Sequence, residues 1–111
     1  MSGEQALLVL TTLPDRDSAQ RMAAALIAER VAACVNILGE CSSVYRWQGR
    51  IETADETPLL IKTTQAAYER LETLIRAHHP YELPEIIAVP VTTGLPGYLQ
   101  WLMQETTPQP E

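Results

Sequence analysis

Two helix-period stretches, each entered from a short apolar run, bracket an extended segment from Val31 to Thr63 that is punctuated by glycine and not by helix caps. This order constrains the fold more than any single residue does. In the first unit Ala6 to Thr12 is an apolar run bounded by Leu13 and Pro14, the length of a buried strand. Asp15 offers an N-cap, and Ala19, Met22, Ala23, Leu26 and Ile27 then share one stripe of a helix expected to reach Arg30.

The second unit repeats the logic after a long hairpin. Val31 to Leu38 reads as a strand, Gly39-Glu40 as a break and Ser42 to Gln48 as a strand rich in β-forming Val, Tyr and Trp. Gly49 turns the chain, and Arg50 to Thr63 runs extended again, with Pro58 marking a bulge or an edge position. Thr63 or Thr64 caps a second helix, whose Ala67, Leu71, Leu74, Ile75 and His78 share a face before Pro80 ends it. Glu85 to Val91 is a further strand, and Pro96 opens a short C-terminal helix carrying Tyr98, Leu99, Trp101 and Leu102. Residues 106–111, with two prolines and no apolar anchor, are expected to be a disordered tail behind a single domain spanning 1–105.

The resulting order, β-α-β-β-α-β-α, matches the split βαβ pattern of a ferredoxin-like α+β domain, with a long bent hairpin and one extra helix. Two helices cover one face of such a sheet and leave the other bare. The chain is also short, 111 residues with no Phe at all, so its core is modest for its surface. Both points predict an oligomer, since a partner strand or sheet would cover what one protomer leaves exposed.

Charge narrows the partners. A formal net charge of −6 opposes association with polyanions, so neither nucleic acid nor an anionic lipid surface is an expected partner. The apolar runs are too short to span a bilayer, and the first residues lack a charged-then-apolar signal layout; the expected location is the cytoplasm. Cys34 and Cys41 match neither a CxxC redox pair nor a zinc knuckle, and Cys34 within Val31-Ala32-Ala33-Cys34-Val35 reads as a small buried hydrophobe. No Ser or Cys stands in a nucleophile elbow and no phosphate loop is present, so an enzyme is not expected.

Three stretches stand out together: Ala32-Ala33-Cys34-Val35-Asn36-Ile37; Ser43-x-Tyr45-x-Trp47-x-Gly49-x-Ile51-Glu52 followed by Glu56 and Lys62-Thr63; and His78-His79-Pro80-Tyr81-x-x-Pro84-Glu85-Ile86. In this order and spacing they closely resemble the CutA family of divalent-cation tolerance proteins, from about Leu7 to Leu102. The resemblance implies a tight homotrimer of ferredoxin-like protomers whose hairpins wrap their neighbours, and a role in metal-ion tolerance with copper or another divalent cation as ligand and no organic cofactor. Three copies of a chain at −6 would carry −18, which attracts cations without selecting among them.

His78 and His79 are the metal candidates, because imidazole suits copper and zinc. Copper-binding relatives can add a Cys near the end of the first strand, where this chain has Thr11, a poor substitute for thiolate toward soft copper(I). For His78 the structural alternative is a last-turn residue continuing the apolar face of Leu71 and Leu74. Tyr45, Trp47, Glu56, Lys62 and Tyr81 form the second constellation. The resemblance implies that they gather in clefts between subunits, where a small anion or metal complex could bind; the structural alternative is a Glu56–Lys62 ion pair beside packed rings. A PII-like signalling module that takes a small effector in those clefts is the second functional expectation.

Overall fold

The computed structural model describes residues 5–109. Its elements run β1 (Ala6–Leu13), α1 (Arg16–Ala28), β2 (Cys34–Ile37), β3 (Cys41–Trp47), β4 (Arg50–Thr64), α2 (Gln65–His78), β5 (Ile87–Pro90) and α3 (Pro96–Glu105). The fold is α+β, one antiparallel sheet with three helices. The sheet order is β2-β4-β1-β5, and β3 pairs with β4 alone.

β4 organises the sheet. Its second half lies between β1 and β2, with Ile61 opposite both Val9 and Val35, while its first half pairs only with β3, from Cys41–Glu56 to Trp47–Arg50. Partners change beside Pro58, which has no N–H to give, and there the in-out alternation breaks: Glu56 and Thr57 are both buried. Gln48 (φ 51°) and Gly49 (φ 82°) close the hairpin with two left-handed residues, the conformation a two-residue turn requires. The hairpin contributes nothing to the core and stretches the molecule to 44 Å in its longest dimension.

Period-two alternation sorts the strands into two faces. Val9, Leu13, Leu59 and Ile61 pack with Met22 and Leu26 of α1 and Leu71 and Ile75 of α2. On the opposite face Leu8 stands between Lys62 and Val89, and Leu10 between Leu60 and Ile87. None of these belongs to the core, and Ile87 and Val89 are 54% and 45% exposed.

The helix ends follow local chemistry. Asp15 Oδ1 accepts from Ser18 N at 2.7 Å, and Thr64 Oγ1 accepts from Ala67 N at 3.3 Å, so Thr64 is the cap of α2. α1 stops at Ala28, short of the expected Arg30, because Arg30 takes a left-handed φ of 58°. That turn sends its side chain to the far end of α3, where Nη2 donates to Gln104 O at 2.7 Å and Nε to Thr107 O at 2.8 Å. Arg70 Nη2 adds Thr106 O at 3.0 Å, and Thr106 is 3% exposed with its hydroxyl on Leu102 O. Thr106 and Thr107, placed in the tail by composition, are therefore tied to the domain; residues 110–111 lie outside the described range. The strands expected over 31–38 and 85–91 are shorter, Cys34–Ile37 and Ile87–Pro90.

Candidate functional site

At the root of the hairpin four residues from three parts of the chain close a ring of hydrogen bonds. Glu56, at the bend of β4, is 7% exposed. Its Oε2 accepts from Tyr81 Oη at 2.9 Å and from Thr12 Oγ1 at 3.1 Å. Thr12 comes from the end of β1 and Tyr81 from the segment between α2 and β5. His79 joins the two: one ring nitrogen, Nε2, lies 2.7 Å from Thr12 O, and the other, Nδ1, accepts from Tyr81 N at 3.1 Å. The His79 and Tyr81 rings sit 4.8 Å apart, tilted by 54°.

Because a backbone N–H only donates, Nδ1 of His79 must be the unprotonated nitrogen, and Nε2 carries the proton that it gives to the Thr12 carbonyl. Neither nitrogen has a free lone pair for a metal. Chain geometry explains this placement. His79 is the C-cap of α2 and precedes Pro80, so its backbone is extended (ψ 135°) and the ring leaves the helix toward β1.

His78 behaves differently from its expected place on the apolar face. It is exposed, as are Arg76 and Ala77, although Leu71 and Ile75 on the same helix are fully buried. His79 is bonded to β1 while His78 is exposed, and Thr11, expected from sequence to stand where copper-binding relatives can have a Cys, is fully buried on the helix-covered face of β1. Among the described residues no group of three or more His, Cys, Asp or Glu side chains could hold an ion. Within one protomer the histidine pair does not fit a metal.

The second constellation is brought together in part. Glu56 and Tyr81 are bonded, and burial, the Glu56 hydrogen bond and the Glu56 charge, with smaller effects of Tyr45 and Asp15, push the Tyr81 phenol up to about 12. Tyr45 and Trp47 share a face of β3 with Cys41, the cross-strand partner of Glu56, and stand 45% and 37% exposed toward the tip. Lys62 is six positions along β4 from Glu56, about 20 Å of extended backbone, so the expected ion pair does not form within a protomer. Among the described residues no basic group pairs with Glu56; the ion pair present is Arg30–Glu105 at 3.8 Å.

Burial of a carboxylate is costly without a compensating charge. Here two neutral hydroxyls point at Oε2, and no basic side chain among the described residues accompanies them. The arrangement suits a cation acceptor: one carboxylate held in place, a phenol that stays protonated at ordinary pH, and the Cys41 position directly across the strand pair. Sequence reasoning did not single out Thr12, which lies 44 residues from Glu56 and carries no motif. The bend at Pro58 was its one indirect signal.

Comparison with known proteins agrees with this architecture. The family model described as CutA1 divalent ion tolerance protein matches residues 7–105. The chain is 46% identical over 99 residues to the divalent-cation tolerance protein CutA of Thermus thermophilus, covering 89% of this chain and 96% of that one. The crystal structure of CutA from Xylella fastidiosa superposes with a TM-score of 0.89 at 47% identity, over 92% of this chain and 98% of that one. CutA1 from Oryza sativa gives a TM-score of 0.91 at 36% identity, over 96% and 98%. By sequence and by structure, the chain belongs to the CutA1 divalent ion tolerance family.

Proposed function

We propose that this chain acts in divalent-cation tolerance as a homotrimer of ferredoxin-like protomers, binding copper or another divalent cation at the Glu56 carboxylate. The observation that carries the reading is the state of Glu56: 7% exposed, two hydroxyl donors on Oε2, and no basic partner among the described residues. One carboxylate is an incomplete coordination shell, so the remaining ligands come from neighbouring copies; the exposed His78 is the free imidazole available for that purpose. The strand order β2-β4-β1-β5 with antiparallel pairing supports the ferredoxin-like assignment, and the bare face of Leu8, Leu10, Leu60, Ile87 and Val89 supports the trimer.

Binding is the activity this reading assigns, in keeping with a family named for divalent ion tolerance. Two free cysteines favour the cytoplasm, and no described helix is long and apolar enough to cross a membrane. A second reading, a PII-like effector cleft, is favoured by the half-exposed Tyr45 and Trp47 above Glu56.

Calorimetric titration of copper and zinc into metal-stripped protein, with molar mass by light scattering, tests the proposal. Saturable binding to a particle of three chains, lost in Glu56→Gln and kept in Lys62→Ala, supports it. Binding undiminished in Glu56→Gln contradicts it and directs the search to small effectors at Tyr45 and Trp47.

A further inference from the structure

We propose that His79 is a positioning residue for the Glu56 site: its imidazole ties residues 79–81 to β1, aims the Tyr81 phenol at the Glu56 carboxylate, and does not itself coordinate the cation. This rests on the reading of Glu56 as the cation acceptor.

The geometry assigns His79 both jobs at once. Glu56 is held by two hydroxyls, and the backbone of each residue that supplies one is bound by the same imidazole: Thr12 through its carbonyl at 2.7 Å and Tyr81 through its N–H at 3.1 Å. The bonds run in a closed circuit, Glu56 to Thr12 to His79 to Tyr81 and back to Glu56. Without the imidazole the Tyr81 N–H has no other acceptor among the described residues and the ring contact is lost with it, so the 80–85 segment is left with Pro80 and the Tyr81–Glu56 bond to restrain it. A group that orients a ligand through a hydrogen bond characteristically alters metal affinity by tenfold or more without touching the ion.

A cation could reach His79 only by dismantling this circuit. Coordination at Nδ1 displaces the Tyr81 N–H, and coordination at Nε2 removes the bond to Thr12. The first event loosens the Tyr81 phenol that donates to Glu56, the carboxylate that the cation itself requires. The pair of histidines in sequence is thus divided in role, with His78 open to solvent and His79 spent on architecture.

Two near-isosteres separate positioning from ligation. An asparagine amide oxygen falls near the place of Nδ1, and a glutamine amide nitrogen near that of Nε2, so His79→Asn preserves the bond to Tyr81 while His79→Gln preserves the bond to Thr12. Each is made in the full chain, with molar mass confirming assembly, and zinc(II) alone is the probe. We expect the Tyr81 amide to exchange about tenfold faster in His79→Gln and His79→Ala but near the original rate in His79→Asn. Zinc affinity should fall about tenfold in the first two and stay within about threefold in His79→Asn. Loss of zinc in His79→Asn as complete as in His79→Ala, with the Tyr81 amide still protected, would make the imidazole a ligand and overturn the proposal. Unchanged Tyr81 exchange in His79→Ala would overturn it as well. If the unsubstituted protein takes no zinc, the reading of Glu56 fails, and the exchange rates alone decide whether His79 positions Tyr81.

Discussion

The Glu56 carboxylate and the Tyr81 phenol, 25 residues apart in the chain, meet at 2.9 Å across the root of the hairpin. Their contact joins the bend of β4 to the segment leaving α2, and together with burial it raises the Tyr81 phenol. Replacing Tyr81 by Phe leaves Glu56 with Thr12 as its one hydroxyl donor. We expect a loss of about 1 to 2 kcal/mol in urea unfolding, the usual worth of a hydrogen bond to a charged acceptor at a partly open site.

The same contact gives alkaline sensitivity a definite sign. Folding raises the Tyr81 phenol from the ordinary value of 10.0 to about 12, so its contribution is complete below 10 and is lost as pH climbs through 12. Stability should decline across that window, and the decline should be shallower in Tyr81→Phe. Equal slopes in unfolding measured from pH 9 to 12 would remove Tyr81 as the cause.

Thr11 predicts a gain. Its Oγ1 is fully buried without a hydrogen-bond partner, on the face of β1 packed under the helices. Thr11→Val keeps the shape and removes the unsatisfied hydroxyl, so stability should rise by about 1 kcal/mol. A loss of similar size would mean that the hydroxyl has a partner in solution.

The far end of α3 depends on two arginines. Arg30 binds Gln104 O and Thr107 O, and Arg70 binds Thr106 O, carbonyls that a helix end otherwise leaves bare. Arg30→Ala should cost about 1 kcal/mol and speed amide exchange in residues 103–107 while leaving β1 and β4 protected. Exchange that quickens evenly through the chain would show a global effect instead.

The proposed assembly rests on the bare sheet face. A lysine in place of Ile87 sets a charge opposite Leu10, where the proposed trimer buries apolar surface. Light scattering should fall from about 37 kDa, three times 12.3 kDa, toward the mass of one chain. An unchanged mass would place the interface elsewhere.

Much of this fold is legible in the sequence because its signals are local. Pro14-Asp15, Thr64 and Pro96 stand at helix starts as their chemistry demands, and the stripes Ala19, Met22, Leu26 and Ala67, Leu71, Ile75 are buried as the helical period requires. Where the outcome rested on distant partners, periodicity misled. His78 has the angle of a core residue, but it is exposed together with Arg76 and Ala77 before it. Thr106 has no apolar neighbours in sequence, and is tied down because Arg70 reaches its carbonyl from α2 and its own hydroxyl bonds Leu102 O. Glu56 and Lys62 look like an ion pair until six extended positions of β4 are seen to separate them, and Thr12 joins the site only because β1 ends where β4 changes partners.

The most direct test of the account is the position of a bound ion, read by anomalous diffraction from crystals grown with zinc. With Glu56 as ligand, the anomalous peak is expected about 2.0 to 2.2 Å from a Glu56 carboxylate oxygen, with His79 still bonded to Thr12 and Tyr81. A peak coordinated by the His79 ring, with Glu56 uninvolved, would contradict it.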